Sequence, residues 1–246
     1  MLKTDCNQLA LEVVKFDTEH FGFRCATVNV PAGVVITPDA VDELKSRARV
    51  ENIKFLTVMS RSAILNLEQH SHGVLSEYIA PFEEVRNRAS VFPRRFHVEP
   101  FNDNNWKDVV QLTKFRSSNR FSKDSHFDEA AVFEHKVKLF RLQWQRFPKL
   151  AYLAYSKQSE PVGFHICVRD KYAVNQYDMV VRPDYRTGTL AFDLINAGLK
   201  AAYHDDNSVK LVSTRIYDDN GQAVRFFSKL GLKRNGSEFN YYHFWF

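Results

Sequence analysis

The stretch from Gln176 to Leu232 constrains the fold of this chain more than any other. It reads as a strand ending at a proline (QYDMVVRP), a loop (DYRTG), an apolar helix, a second strand (SVKLVSTRIY) and a second helix (GQAVRFFSKLG). A strand that turns through Arg186, Thr187 and Gly188 directly into a helix has the geometry of a phosphate site. The first N–H groups of such a helix have no internal partner and lie at the positive end of its dipole. The stretch therefore predicts an anion site between a strand and a helix.

Two motifs within this stretch resemble those of a known family. They are Val181-x-Pro183-x-Tyr185-Arg186-x-Gly188-x-Leu190-Ala191-x-x-Leu194 and Asn220-x-x-Ala223-x-x-Phe226-Phe227-Ser228-Lys229-Leu230-Gly231-Leu232. In this order, with one strand between them, they resemble the acyl-CoA signature of the GNAT superfamily of N-acyltransferases. The resemblance covers roughly residues 93–246. It implies an α/β fold of the GNAT type, with a mixed sheet (α+β).

The resemblance also implies which residues bind acyl-CoA. The loop amides would hold the CoA pyrophosphate, the strand before the loop would face the thioester carbonyl, and Asn220 would touch the pantetheine arm. An N–H aimed at that carbonyl would stabilise the oxyanion of the tetrahedral intermediate. The cofactor-binding residues assigned in this way are Met179, Val180, Val181, Arg186, Thr187, Gly188, Thr189, Leu190, Ala191, Asn220 and Phe227.

The sequence departs from the family pattern at two places. The family usually has Gly in the fourth place and Gly or Ala in the sixth place of its Arg-x-x-Gly-x-Gly/Ala run. Here Thr189 and Ala191 occupy these places, and Gly188 comes one residue early. A threonine at a helix N-terminus still caps the helix and offers a hydroxyl to phosphate. The tyrosine that commonly protonates the leaving thiolate is Phe227 here. That acid must therefore be replaced or absent.

Four residues are candidates for the catalytic proton transfers. His165 has a side chain that titrates near working pH, although a lone histidine on a strand is more often structural. Asp178 is a second candidate base, whereas Gln176, where some family members have a carboxylate, cannot serve. Tyr217 is the first candidate acid, and Tyr242 is a second. Since no Ser or Cys stands beside a base, we expect direct transfer without an acyl-enzyme.

Composition excludes several classes of function. With 34 Lys and Arg against 29 Asp and Glu, the net charge of +5 suits an anionic ligand better than a nucleic acid. Cys6, Cys25 and Cys167 are widely spaced, which argues against a disulfide framework or a zinc site, and no metal is expected. No signal peptide or membrane span is recognisable. The sequence therefore predicts a reduced, cytoplasmic protein without a membrane partner.

The N-terminal part predicts a second unit. The block from Phe16 to Phe23 (FDTEHFGF) resembles the opening of bacterial nucleotide-sugar N-acetyltransferases within the same superfamily, which implies a substrate contact for Phe21. The alternative is a hairpin in which two phenylalanines flank a glycine. Because a helix–strand–helix–strand order occurs twice, we predict a truncated, degenerate GNAT-like domain at 1–90 and an acyl-CoA-binding GNAT domain at 91–246. The polar run from Glu83 to Phe92 is the predicted linker.

A loop between two predicted helices is the second candidate for substrate contact. Its sequence from Asn119 to Asp124 (NRFSKD) is similar to the S-R-F-x-x-D segment of the nucleotide-sugar enzymes. This implies that Arg120 pairs with a substrate phosphate and that Phe121 stacks on a base or covers the sugar, with Asp124 in the same site. The alternative is a solvated loop with a buried phenylalanine anchor.

Together these features predict transfer of an acyl group from acyl-CoA to the amine of a dTDP- or UDP-linked amino-deoxysugar, for a surface polysaccharide such as O-antigen. The acyl group is acetyl or a short hydroxyacyl such as 3-hydroxybutanoyl, because Phe227 makes the thioester pocket less polar. The alternatives are an N-acetyltransferase for a protein, peptide or antibiotic amine, and a non-catalytic CoA-binding module. The aromatic final strand from Phe239 to Phe246 would pair across a homodimer.

Overall fold

One mixed sheet of ten strands organises the chain. The computed structural model describes residues 9–64, 67–116, 121–186, 188–205 and 208–246. The strands are β1 (Glu12–Val13), β2 (Cys25–Asn29), β3 (Phe55–Ser60), β4 (Ser71–Pro81), β5 (His97–Pro100), β6 (Ala151–Tyr155), β7 (Pro161–Arg169), β8 (Ala173–Val181), β9 (Leu211–Tyr217) and β10 (Lys233–Trp245). Their order in the sheet is β1-β2-β3-β10-β4-β9-β8-β7-β6-β5.

Seven α-helices in the described residues cover the two faces of this sheet. They are α1 (Lys15–Phe21), α2 (Pro38–Val50), α3 (Phe82–Ser90), α4 (Trp106–Thr113), α5 (Glu129–Arg146), α6 (Leu190–Asp205) and α7 (Gly221–Lys229). Residues of α3, α6 and α7 share one apolar cluster, and residues of α4 and α5 share another with β6, β7 and β8. None of the described helices combines the length and the apolar character that a membrane crossing requires.

Side-chain caps start three of the helices. The Thr37 hydroxyl accepts a hydrogen bond from Ala40 N–H at the start of α2, where Pro38 occupies the first turn. The Asp128 carboxylate does the same at α5, and the Asn220 amide oxygen does so at α7. Part of the role of Asn220 is therefore to start a helix.

The predicted linker from Glu83 to Phe92 is wrong. Residues 82–90 form α3, which buries Phe82, Val85 and Ala89 against the sheet. Its outer face carries ion pairs at helical spacing, including Arg88 with Glu84. The polar run hid an amphipathic helix, because three apolar residues in nine are enough for one buried stripe.

Strand β10 lies between β3 and β4, although it is the last strand of the chain. It pairs antiparallel with β3 from Asn240 to Trp245 and with β4 from Lys233 to Tyr242. Strand β4, in turn, lies between β10 and β9. Strands from residues 1–90 and 91–246 therefore interleave. Because β10 is an interior strand of the sheet, paired on both edges at Asn240–Tyr242, it is not the free edge strand that the predicted pairing across a dimer requires.

Candidate active site

The site begins where two parallel strands separate. β8 pairs with β9 only over Ala173–Asn175 and Leu211–Ser213. One further link follows, in which the Thr214 hydroxyl donates to the Gln176 carbonyl at 3.2 Å. Beyond it, both strands continue without pairing to each other in the described part of the chain. The divergence leaves the edge of β8 open toward β9.

A β-bulge lies at the same point of β8. On the other side of this strand, Ile166 pairs with Asp178 while Cys167 pairs with Gln176, so Tyr177 is the extra residue. A bulge bends its strand and redirects the neighbouring side chains. The bend therefore accompanies the opening of β8 away from β9.

The loop after β8 leads directly into α6, as predicted. Arg186 holds this loop, because its guanidinium donates to the carbonyls of Val181 at 3.0 Å and Phe115 at 2.8 Å. Leu190 and Ala191 then open the helix, where N–H groups have no partner within the helix. The Thr189 hydroxyl oxygen is buried and has no hydrogen-bond partner among the described residues. Thr187 lies outside the described residues.

A cavity of about 1290 Å³ fills the gap between β8 and β9. Seven of the residues assigned to acyl-CoA binding line it, namely Met179, Val180, Val181, Arg186, Ala191, Asn220 and Phe227. Gly188, Thr189 and Leu190 do not line it, and Leu190 is packed beneath the first turn of α6. The cavity also extends to Val14, Phe16 and Asp17 near α1, and to Leu75, Glu77 and Ile79 on β4. Residues from 1–90 and residues from 91–246 therefore both line the cavity.

A buried ion pair stands in this wall. The Arg116 guanidinium, just after α4, contacts the Asp178 carboxylate on β8 at 2.6 Å. The Asp178 side chain is 8% exposed and the Arg116 side chain 21%. Burial opposes the charge of Arg116, but the neighbouring Asp178 carboxylate raises its pKa overall. Asp178, predicted as a base, thus lines the cavity as the partner of a cation.

A second buried pair joins the N-terminal block to α5. His135 Nε2 lies 2.8 Å from the Asp17 carboxylate, and both residues are almost fully buried at the cavity wall. The pair spans 118 positions of sequence. It attaches α1 to the helix that covers the cavity.

Lys136, the next residue on α5, also lines the cavity. Burial, and then the charge of Arg116, lower the pKa of this lysine to about 8, while Asp178 acts in the opposite direction. Sequence reasoning did not identify Arg116, His135 or Lys136 as site residues. The available signal was position, since Arg116 lies within the stretch from Phe115 to Asp124 that contains the predicted substrate loop, and Lys136 lies on the helix after it.

The predicted catalytic residues are not all in one place. Tyr217 lines the cavity at the end of β9, with Tyr241 beside it at 6.3 Å between ring centroids. His165 is fully buried under α6, where its Nδ1 lies 3.4 Å from the Leu194 carbonyl. Burial lowers the pKa of His165 to about 4. Tyr242 is buried away from the cavity, and its hydroxyl accepts a hydrogen bond from Ile64 N–H.

The predicted substrate residues form an aromatic cluster behind the cavity. Phe21 packs against Phe121 at 5.1 Å and against Phe127 at 4.7 Å between ring centroids. Phe121 borders the cavity but is only 1% exposed, whereas Phe21 does not line it. Arg120 lies outside the described residues. The alternative of a buried phenylalanine anchor describes the observed position of Phe121.

Asp124 is the hydrogen-bond centre of this cluster. Its Oδ2 accepts a hydrogen bond from Trp245 Nε1 at 3.0 Å and lies 2.9 Å from His243 Nδ1, while its Oδ1 lies 2.8 Å from His126 Nδ1. Burial raises the pKa of this carboxyl, but those hydrogen bonds outweigh burial and lower the pKa to about 2. His72, Asp124 and His243 place possible metal-ligand atoms within 4.8 Å of one another. Because both Asp124 oxygens already accept hydrogen bonds, we interpret the group as an anchor for residues 121–127.

Comparison with known families supports the GNAT resemblance. Residues 114–232 match the model of the acetyltransferase (GNAT) family. The matched segment includes β8, the loop, α6, β9 and α7, and so contains most of the cavity wall. A comparison with curated protein sequences gives no match.

Solved structures show the same fold at low sequence identity. A tandem GNAT protein from the clavulanic acid biosynthesis pathway aligns at a TM-score of 0.59 and 12% identity, over 91% of this chain and 76% of its own. A GCN5-related N-acetyltransferase from Sphaerobacter thermophilus aligns at 0.60 and 12%, over 96% and 76%. A functionally unknown conserved protein from Staphylococcus epidermidis aligns at 0.62 and 12%, over 89% and 83%. The predicted fold class is confirmed.

Proposed function

We propose that this chain, which has the GNAT fold and matches the acetyltransferase family over residues 114–232, is an acyl-CoA-dependent N-acyltransferase. The divergence of β8 and β9 after Asn175 and Ser213 carries the proposal. It opens a cavity that reaches the first turn of α6. A slot between strands that ends at a helix N-terminus suits a long ligand with a diphosphate.

The residues along this slot fit acyl-CoA as the donor substrate. The opening N–H groups of α6, at Leu190 and Ala191, would bind the diphosphate, with the Thr189 hydroxyl beside them. The edge of β8 that faces β9, from Met179 to Val181, would take the amides of the pantetheine arm. A β8 N–H directed at the thioester carbonyl would stabilise the negative charge that develops on its oxygen.

The cysteines support direct transfer to the acceptor amine. Cys25 and Cys167 are both buried, and burial raises the pKa of the Cys167 thiol. A thiol in that state does not supply the thiolate that an acyl-enzyme route needs. The amine would therefore attack the thioester carbonyl itself, and the CoA thiol would leave.

The acceptor we propose is the amine of a dTDP- or UDP-linked amino-deoxysugar. Arg116 brings a guanidinium to the cavity wall on the α5 side, which suits a substrate that carries phosphates. The size of the cavity leaves room for a second substrate beside the pantetheine arm. Phe226 and Phe227 make the part of the cavity wall at α7 apolar, which fits an acetyl group or a short hydroxyacyl group such as 3-hydroxybutanoyl.

The N-terminal part has a place in this proposal. We take residues 1–90 as a degenerate GNAT-like domain and residues 91–246 as the acyl-CoA-binding domain. Val14, Phe16 and Asp17 lie at one end of the cavity, and Glu77 contributes from β4. The degenerate domain would thus form the acceptor end of the site, while α6 and β8 hold the donor.

Binding of CoA tests the donor site first. Ala191→Glu places a carboxylate in the first turn of α6, where it would repel the diphosphate and fill the slot. The matched control is Ala130→Glu, since Ala130 is exposed and is likewise the second residue of a helix, α5. By calorimetry, we expect Ala191→Glu to weaken CoA binding at least tenfold and Ala130→Glu to leave it unchanged. Equal effects of the two substitutions would count against the site.

A thiol-release assay then tests the reaction. The purified protein is combined with acetyl-CoA and 3-hydroxybutanoyl-CoA, each against a panel of dTDP- and UDP-amino sugars, peptide amines and aminoglycosides. Turnover with a nucleotide sugar supports the full proposal, and turnover only with peptide or antibiotic amines rejects the acceptor class. Binding of CoA without any turnover would favour a non-catalytic module, to which the loss of tyrosine at Phe227 also points.

A further inference from the structure

Lys136 is a lysine in an unusual position for its charge. It lies half-buried on α5 with its side chain at the cavity wall, between the buried Asp17–His135 pair and the Arg116–Asp178 pair. With the residues that the structure describes, it forms neither an ion pair nor a hydrogen bond. Lys138, two positions further on, points outward and is exposed. The helix thus turns one lysine toward the cavity and the other toward solvent.

The charges around Lys136 favour its neutral form. Burial removes water from the ammonium group, and the Arg116 guanidinium adds a second cation nearby, so the pKa falls to about 8. Asp178 restores only part of this, because its carboxylate is already engaged by Arg116 at 2.6 Å. Among the described residues, the charged or titratable groups that line the cavity with Lys136 are Asp17, Glu77, Arg116, His135, Asp170, Tyr177, Asp178, Tyr185, Arg186, Arg215, Tyr217 and Tyr241.

We infer that the ε-amine of Lys136 is the general base that takes the proton from the acceptor ammonium. This inference rests on the proposed acyl transfer and assigns its base. A lysine serves as a base when burial and neighbouring cations bring its protonation equilibrium near the working pH. Asp178 is less suited, because it is held by Arg116, and His165 does not reach the cavity.

The acceptor ammonium gives one proton to the Lys136 amine, and its freed nitrogen attacks the thioester carbonyl. The C–N bond forms and the C–S bond breaks. The nitrogen loses its second proton, and the leaving thiolate takes up one proton, so this second transfer is balanced. The products are the amide and the CoA thiol, and Lys136 passes its proton to solvent.

One test of the base needs no acceptor. The wild-type protein is labelled briefly with an amine-selective reagent between pH 6 and 11, and the extent of labelling at each lysine is measured by mass spectrometry. We expect Lys136 to reach half-maximal labelling near pH 8, below the ordinary lysine value of about 10.4, with Lys138 in the same samples as the internal control. If Lys136 follows Lys138, the assignment is overturned, whether or not the protein transfers acyl groups.

Kinetics distinguish a base from a binding residue. With the best acceptor from the thiol-release panel, Lys136→Met should lower kcat about 100-fold and remove the rise of rate with pH that reports the base. Lys138→Met is the matched control and should behave as wild type. Trimethylamine takes up a proton but forms no stable amide, so it should restore part of the rate in Lys136→Ala.

Other kinetic outcomes would overturn the assignment. A rise in KM alone, with kcat and the pH profile unchanged, would make Lys136 a ligand for an anionic part of the acceptor. Loss of rate without rescue by trimethylamine, together with ordinary labelling, would make its role structural. A wild-type protein that binds CoA but turns over nothing rejects the proposed function and the base with it, whereas turnover together with ordinary labelling of Lys136 rejects the base alone.

Discussion

Arg116 and Asp178 meet at 2.6 Å across the wall of the cavity, where β8 bulges and separates from β9. The contact joins the end of α4 to the strand that would hold the thioester. An ion pair at this position fixes the distance between the helical layer and the open strand. It also occupies the carboxylate nearest to Lys136, which keeps that amine from gaining a close counter-ion.

The first prediction concerns the stability that depends on this pair. Arg116→Met leaves the Asp178 carboxylate 8% exposed and without its cation, so unfolding free energy should fall by about 3 kcal/mol. Arg24→Met is the control, because Arg24 pairs with Glu51 at 3.9 Å on the surface and should lose less than about 1 kcal/mol. Urea denaturation measures both. Similar losses of unfolding free energy in the two variants would show that the buried pair stabilises the fold no more than a surface ion pair does.

The second prediction follows from the low pKa of Asp124. Its folded-state pKa of about 2 lies below the ordinary 3.8, so the stabilisation is present above pH 4 and is lost as pH falls toward 2. The shift corresponds to about 2 kcal/mol, of which roughly half should be lost by pH 3. Asp124→Asn should therefore cost about 2 kcal/mol at pH 5.5 and about half as much at pH 3.

Urea denaturation at the two pH values checks this difference. Asp103→Asn is a suitable control, because the Asp103 side chain is 80% exposed and forms only a surface ion pair with Arg141. Its effect should be small at both pH values. A constant cost for Asp124→Asn from pH 5.5 to pH 3 would mean that the carboxyl is not held ionised by its hydrogen bonds.

The third prediction concerns the acid that Phe227 cannot provide. Tyr217 and Phe227 both line the cavity, so the Tyr217 hydroxyl is the candidate to protonate the leaving thiolate. Tyr217→Phe should lower kcat about 100-fold in the thiol-release assay. Adding Phe227→Tyr should restore part of the loss, since it returns a hydroxyl to the wall.

A matched substitution makes this test specific. Tyr172→Phe removes a hydroxyl from a residue that is 53% exposed and lies outside the main cavity, so its kcat should equal that of wild type. Full activity in Tyr217→Phe would instead mean that the thiolate leaves without a protein acid.

Local patterns predicted the secondary structure of the proposed donor side. A strand, a glycine turn and an apolar helix follow each other within one stretch, and the apolar helix predicted after Gly188 corresponds to α6 at Leu190–Asp205. The seven predicted cofactor residues that line the cavity all belong to this stretch. In such a segment residues that are close in sequence are also close in space, so their spacing in the sequence predicts their arrangement in the structure.

The acceptor side depends on contacts that spacing does not encode. Asp17 and His135 are 118 positions apart, and only the packing of α1 on α5 brings them together. Nothing in the composition of α5 distinguishes Lys136 from Lys138, since the difference is which side of the helix meets the cavity. His165 has the right chemistry for a base, but it lies on the face of β7 that α6 covers.

The last prediction follows from the interleaving of β4 and β10. In the sheet, β3 and β4 do not pair with each other, because β10 lies between them. A fragment of residues 1–90 would therefore lack the strand that joins its own halves, and its apolar cluster would lose Tyr242 and Phe244. We expect this fragment to be unfolded in isolation by circular dichroism and amide exchange.

The intact chain should accordingly unfold in one cooperative transition. Trp106 on α4 and Trp245 on β10 lie in different apolar clusters, so single-tryptophan variants at each position report on the two parts separately. Coincident urea midpoints are expected, since breaking β10 from β3 or from β4 disrupts both parts of the sheet. Removing residues 239–246, and Trp245 with them, should also abolish the folded signal of Trp106, because this segment carries all of the pairing between β10 and β3. Two separated urea midpoints, or a folded 1–90 fragment, would show that each part of the sheet is stable without its pairing to β10.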